Sequence, residues 1–400
     1  MARGHYEPDP QVPVGLPGAA GGECGARPRP CLEAALSEDV WSERDTTPDT
    51  IDAALRELLR ERHAANHALV PARVLNLVVV VERSWKGEIA NRLERVGRYH
   101  ASRTVLCAVE PGRTTIDARV VMSYEEPTGD GLGVILEQVE IDLGETHLAD
   151  LESVVDPVRA AEIPTMLWCP HGHLEAVRSL LAITDVILLD SDGESEPSVA
   201  LERAAELLES VYVVDLAWLR TTPWRERLAT TFDPPERRTL LRQVGLIAAR
   251  HQATSTASAM LLAGWLASRL GWEAAPLSPR GGESAGADAP GGELRGFLHA
   301  QDHDVEIQLD SSDQLVPGLT GVTVAVPDGW SLSLDRAYGG LCARRRSEDG
   351  TESTWKVLGA SRGEGGILGE GVRQALLRDP TYRPALRCAL TLCPVGTGAR

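Results

Sequence analysis

The sequence predicts an α/β fold: an N-terminal mixed, mostly parallel sheet with flanking helices, then a C-terminal α+β domain with an antiparallel meander. Three observations predict it. Continuous apolar runs rich in valine or leucine, Val74 to Val81 and Val186 to Leu189, mark strands covered on both faces. Up to about residue 211 such strands alternate with helical patterns, as they do where helices pack on a sheet. Beyond about residue 300 the apolar residues recur at every second position, the mark of an antiparallel sheet with one wet face.

Residues 1 to about 45 cluster prolines and glycines without a periodic apolar face, and read as a disordered extension. Structure is expected from Thr46-Thr47-Pro48, a cap followed by proline. Ile51, Ala54, Leu55, Leu58 and Leu59 then recur at helical spacing. After the strand Val74 to Val81 come a helix near Lys86 to Arg98 and strands at Thr104 to Val109, Ile116 to Tyr124 and Val134 to Leu143. The last of these sets Glu137 among Ile135, Val139 and Ile141 on one face. A helix at Leu148 to Arg159, a short buried strand at Pro164 to Trp168 and a helix at Leu174 to Ala182 lead to the strand ending in Asp190. Val199 to Val211 is an amphipathic helix. This N-terminal domain spans residues 46–214.

A connecting motif occupies residues 215–239, and a C-terminal domain residues 240–395. Within it, Leu240 to His251 and Ala257 to Leu270 read as helices, the second apolar almost all round. Pro276 to Glu293 reads as an exposed loop. Alternating runs follow at Val305 to Asp310, Val322 to Val326 and Trp330 to Leu334. Glu348-Asp349-Gly350 is a hairpin signal between Leu341 to Arg345 and Thr354 to Leu358. A last helix is expected at Gly371 to Arg378.

Length and charge narrow the function. Four hundred residues exceed what one core normally supports, hence two domains. A formal charge of −18 argues against nucleic acid and anionic membrane as partners. No apolar run is long enough to span a bilayer, and seven scattered cysteines without a CxxC pair fit reduced thiols in the cytoplasm.

The connecting motif reads Asp215-Leu-Ala-Trp-Leu-Arg-Thr-Thr-Pro-Trp-Arg225. An extended piece, Val211 to Leu219, is expected to turn into a short helix started by Thr222 before Pro223 and ended near Asp233-Pro234-Pro235. Trp218, Arg220, Trp224 and Arg225 are side chains that dominate protein interfaces. Equally, the tryptophans can fill the seam between two domains.

Chemistry is sparse elsewhere. Asp190-Ser191-Asp192-Gly193 ends a parallel-type strand, the edge where ligands settle in open α/β sheets, although such residues also make ordinary turns. His171-Gly172-His173 supplies two histidines where zinc wants three or four ligands. Gly363-Glu-Gly-Gly-Ile-Leu-Gly before a helix matches neither phosphate-loop pattern. No cofactor, metal site or catalytic constellation is indicated.

The central motif, Val214-Asp-Leu-Ala-Trp-Leu-Arg-Thr-Thr-Pro-Trp-Arg225, resembles the signature of the glucose-6-phosphate dehydrogenase assembly proteins, the OpcA family of actinobacteria and cyanobacteria. Arg73-Val-Leu-Asn-Leu-Val-Val resembles the family's first strand. His100-Ala-Ser-Arg103 resembles its His-Pro-Ser-Arg turn, with alanine for proline. Glu137-Gln138, Ile163 to Trp168, Asp190-Ser191 and the Ala263 to Trp272 helix agree in order, so the resemblance covers roughly residues 46–394. It implies a non-catalytic, allosteric activator of the dehydrogenase, serving the oxidative pentose phosphate pathway and NADPH supply. Asp215, Trp218, Arg220, Thr222, Trp224 and Arg225 are then the expected partner-binding residues. The alternative is an enzyme or sensor that binds a phosphosugar or nucleotide at Asp190 and Ser191.

Overall fold

A computed structural model describes residues 37–71, 73–97, 102–124, 132–279, 293–358 and 363–394. The chain divides into two units, Met1–Ala35 and Leu36–Arg400, and the elements below belong to the second. Most of the extension, the start of the His100 turn and the middle of the loop at 276–293 lie outside the described residues.

The first sheet comprises β1 (Ser37–Glu43), β2 (Leu69–Pro71), β3 (Leu75–Glu82), β4 (Ser102–Val109), β5 (Asp117–Tyr124), β6 (Gly133–Leu143), β7 (Thr165–Trp168), β8 (Val186–Leu189) and β9 (Tyr212–Asp215). Its order is β1-β5-β6-β4-β3-β7-β8-β9, with β2 beside β6. From β6 to β9 every pairing is parallel. Six parallel strands in that sequence reproduce the doubly wound 3-2-1-4-5-6 order, whose crevice lies where the winding reverses, here between β3 and β7.

The expected two-sided burial of β3 is found, since Leu75 to Val81 are all buried. One face is covered by α1 (Pro48–Ala65), α3 (Leu151–Val155) and α4 (Leu174–Leu180), through Ile51, Leu55, Val154 and Leu180. The other is covered by α2 (Lys86–Gly97) and α5 (Pro197–Leu207), through Ile89 and Leu201. Helix α1 starts as expected, with the Thr47 hydroxyl accepting from the amide of Thr50.

Three expectations in this half and the linker are corrected. Ser37–Glu43, assigned to the extension, is an edge strand paired antiparallel with β5, Val40 facing Val121. Its mostly exposed side chains give it no apolar period; pairing with β5 defines it, helped by Trp41 against the core and Arg62 on Asp39. Asp215 ends the extended segment, and Leu216 to Leu219 lie in α6 (Leu216–Arg220) instead of a strand. Those residues are all buried, so no alternation separates the two states. The next helix, α7 (Thr222–Phe232), begins at Thr222 itself, and Thr221 is the residue before it, without a side-chain cap bond. A four-residue helix, α8 (Pro235–Arg238), follows.

The second sheet contains β10 (Leu246–Gln252), β11 (Glu273–Ala274), β12 (Ser278–Pro279), β13 (Leu294–His299), β14 (Asp304–Ser312), β15 (Leu319–Ala325), β16 (Ser331–Ala337), β17 (Gly340–Arg346) and β18 (Glu352–Leu358). Its order is β11-β13-β14-β10-β15-β16-β17-β18, with β12 on β13. The meander β15 to β18 is antiparallel as expected, closed by Gly350 at φ 82° between Ser347 and Thr351.

Where Leu240 to His251 was expected to be helical, a short 3₁₀ turn gives way to β10, parallel to β14 and antiparallel to β15. Ile247, Ala249 and His251 point inward, an alternation hidden because Ala248 and Arg250 lie between them and suit a helix as well. The 276–293 loop is anchored at its start: Leu277 is buried and its amide donates to Leu392.

Helix α9 (Thr256–Leu270) packs against α11 (Tyr382–Leu392), which the periodicity did not predict. Gly264 is the point of approach, for a Cβ there would sit 2.3 Å from the Ala385 carbonyl oxygen. Helix α10 (Glu364–Gln374) begins seven residues before the expected Gly371, with the glycine run in its first turn. Gly371 lets α10 lie against β8 and α6, since a Cβ would come within 2.9 Å of Leu188. A single hydrophobic core joins the two halves, running from Leu75 and Leu188 through Trp218 and Trp224 to Leu261, Ile307 and Leu386.

Candidate functional site

The carboxyl ends of β8 and β9 meet the connecting motif in a buried polar network. Asp215 ends β9 and caps α6, accepting from the amide of Ala217 at 2.9 Å. It also accepts from the Ser191 amide at 3.1 Å, the Ser191 hydroxyl at 2.7 Å and the Tyr382 hydroxyl at 2.9 Å. Burial pushes its carboxyl up to about 6, with Ser191 pulling the other way and Asp190 adding to the rise.

Arg220 forks onto Asp190 through two bonds of 2.6 and 2.7 Å, the planar geometry that favours arginine over lysine. The same guanidinium stands 3.5 Å from Asp192. Asp192 accepts from the Ser258 amide at 3.0 Å and hydroxyl at 2.6 Å, tying the turn after β8 to α9. Burial, then the neighbouring Asp190, push the Asp192 carboxyl up to about 7. Asp190 and Ser191, expected as ligand-binding residues, are both engaged by this chain's own side chains, Arg220 and Asp215.

The rest of the motif forms a second layer. The Arg225 guanidinium lies 3.5 Å over the Trp218 ring, donates to the Thr221 and Thr222 hydroxyls at 2.9 and 3.0 Å and faces Asp379 at 3.7 Å. Burial lowers its pKa to about 10. The Trp218 indole donates to Asp379 at 2.9 Å, and its ring leans on Tyr382. Trp224 is 1% exposed and belongs to the shared core. Of the six residues expected at a partner surface, Asp215, Trp218, Arg220 and Trp224 are buried, while Thr222 and Arg225 are half-buried. Ser258, Asp379 and Tyr382 complete the network from remote parts of the sequence that carry no pattern pointing to it.

The other matching segments also converge. Glu137, 2% exposed, takes the Arg103 guanidinium at 2.9 Å and that of Arg73 at 2.8 Å, and Arg103 donates on to the Val158 carbonyl. Asn76 is buried beside them, bonded to Ala160 and Ile163.

A cleft of about 760 Å³ opens at the carboxyl ends of β7 and β8, lined by Trp85, Arg92, Trp168, His171 and Asp190 among others. The turn after β3 carries Arg83, Ser84 and Trp85 in place of glycines. Arg83 and Lys86 are ion-paired to Asp142, and Lys86 also to Glu140. The rings of Trp85 and His171 meet at 5.1 Å, one from the turn after β3 and one from that after β7. A dinucleotide pyrophosphate needs glycine there so that backbone amides can approach it. Among the described residues no cluster of metal-binding side chains occurs, and no helix is long and apolar enough to cross a membrane.

Comparison with known proteins places this chain in a family. Two family models match: the glucose-6-phosphate dehydrogenase subunit N-terminal domain over residues 93–206 and the C-terminal domain of the same subunit over residues 211–386. A relative from Synechococcus elongatus, provisionally described as OxPP cycle protein OpcA, is 28% identical over 154 residues, 38% of this chain and 35% of the relative. Its counterpart in Nostoc punctiforme is 34% identical over 125 residues, 30% of this chain and 27% of the relative. The matches thus span about a third or less of those relatives' length. Among solved structures, a probable oxidoreductase, yhhX, aligns with a TM-score of 0.44 at 9% identity, over 79% of this chain and 94% of that one; a likeness of that degree carries no weight for function. With one family model on each half of the chain and the signature at their junction, the chain belongs to the OpcA family of glucose-6-phosphate dehydrogenase assembly proteins.

Proposed function

We propose that this chain is a non-catalytic, cytoplasmic partner of glucose-6-phosphate dehydrogenase that stabilises the dehydrogenase's active oligomer. The family match over both halves carries the reading. Two structural features support it. The polar groups of the signature are consumed internally, by Arg220 on Asp190 and by Ser258 on Asp192, which suits a rigid body more than a reacting centre. The turn after β3 holds ion-paired side chains and a tryptophan where a dinucleotide fold needs glycine.

Activation works by differential affinity: the chain binds the productive arrangement of dehydrogenase subunits more tightly than the unproductive one. Asp215, Trp218, Arg220, Thr222, Trp224 and Arg225 act as contact-supporting residues, holding the halves at 46–214 and 240–395 as one body. Purified dehydrogenase mixed with wild type is expected to gain activity and shift its subunit count. Trp224→Ala, confirmed folded, is expected to activate less. Equal activation by the folded variant would remove the motif from the mechanism, and no effect of wild type would remove the function itself.

A second reading, a phosphosugar- or nucleotide-binding enzyme or sensor, draws on the cleft beside Asp190 at the carboxyl edge of a doubly wound sheet. Calorimetry of the isolated chain with glucose 6-phosphate and with NADP separates the two. Tight binding accompanied by turnover favours the second.

A further inference from the structure

We propose that the end of the second sheet formed by the β14–β15 and β16–β17 connections is the surface that docks the dehydrogenase, and that it takes an acidic segment bearing a bulky apolar side chain. The inference rests on the partner reading above and adds where contact is made.

Strand β14 runs parallel to β10, β15 antiparallel to β10, and β16 antiparallel to β15, so both connections leave the same end of the sheet. Each carries a large side chain that contributes nothing to this chain's core. Leu315 is 97% exposed, Val316 is exposed beside it, and Tyr338 is fully exposed. Apolar side chains grouped at rigid tips mark interaction sites more often than isolated ones do.

The first tip is held firmly. The Gly318 amide donates to the Ser255 hydroxyl at 2.8 Å, and the Gly318 carbonyl accepts from the Gln252 amide at 3.0 Å. Gly318 has φ 94°, and a Cβ there would lie 3.3 Å from Arg220, so the connection rests directly on the signature helix α6. Arg336 clamps its end, donating twice to the Leu319 carbonyl. A tip anchored this way loses little freedom on binding, and the signature supports it from behind.

Beside the tips, on the outward face of β10, β15, β16 and β17, lies a depression of about 540 Å³. Arg250, Arg336 and Arg344 line it with Thr323 and Ser333, against a single carboxylate, Asp335. Arg250 is paired with that aspartate. Arg344 is exposed and has no ion-pair partner among the described residues. On a chain of charge −18, three lining arginines outnumber Asp335 and Asp313 of the adjoining tip, so the depression is locally positive and favours a carboxylate-bearing partner. A second copy docking through the same patch about a two-fold axis would bring two locally positive surfaces together, which favours a different protein as the partner.

The test uses the full chain and purified glucose-6-phosphate dehydrogenase, with binding measured by calorimetry and sedimentation. Leu315→Asp, Tyr338→Asp and Arg344→Glu all alter exposed side chains, so each is expected to keep the wild-type Tm. Each is expected to weaken binding at least tenfold, and raised salt to weaken the wild-type complex. Wild-type affinity in all three folded variants would overturn the docking surface while leaving the partner reading intact. Failure of the wild-type chain to bind would overturn both. Loss of self-association in place of dehydrogenase binding would assign the patch to a second copy and overturn the proposal.

Discussion

Arg220 is the residue on which the seam depends. It is buried, bonded through both terminal nitrogens to Asp190 and close to Asp192. Arg220→Ala removes the fork on Asp190 and the guanidinium facing Asp192. Because Asp190 is partly exposed and Asp192 can take a proton, the cost is that of lost charged hydrogen bonds, about 1.5–3 kcal/mol. Denaturant unfolding should show that loss, and Arg220→Lys should recover only part of it because an ammonium does not match the fork. The carboxylates also make stability depend on pH. Asp192 and Asp215 are raised to about 7 and about 6, above their ordinary value of 3.8. The folded state therefore holds protons that the unfolded state releases. Stability is fully present below about pH 4 as far as these groups are concerned, and is lost as pH rises through 6 to 7. A Tm–pH profile of wild type should fall across that window, and Asp192→Asn should flatten it.

At the scale of elements, the contact of α9 with α11 is set by one missing side chain. Alanine in a helix interior is ordinarily more stabilising than glycine by about 1 kcal/mol. At Gly264 the added methyl would meet the Ala385 carbonyl at 2.3 Å and the Ala389 amide nitrogen at 2.7 Å, both backbone. Gly264→Ala is therefore expected to destabilise by about 1–3 kcal/mol, measured by denaturant unfolding, because the helices must part to admit it. The elements also show where periodicity informs and where it does not. β14 alternates cleanly, Val305, Ile307 and Leu309 inward, and was legible as a strand. β10 occupies the middle of its sheet but contains Ala248, Ala249 and Arg250, which suit a helix equally well. Its neighbours β14 and β15 decide its state. The edge strand β1 and helix α6 were missed for the corresponding reason: one is almost uniformly exposed and the other uniformly buried.

For the whole molecule, Leu36–Arg400 is one compact unit with a core running from the first sheet to α11, and most of the signature is buried in it. The sequence by itself determined the α/β class, the two-sided burial of β3, the antiparallel meander and the resemblance that family comparison bears out. These follow from local composition and period, or from a long unbroken motif, all of which can be read along the chain. Only the tertiary structure decided that Arg220 grips Asp190, thirty residues away, and that Asp215 is held by Tyr382 from the last helix. It also brought Arg73, Arg103 and Glu137 together from three strands or their flanks. A buried charge needs a partner at a few ångströms, and which partner reaches it is fixed by strand order and helix packing. Tryptophan and arginine announce a demanding site, but whether they face a neighbour or their own core depends on what folds over them.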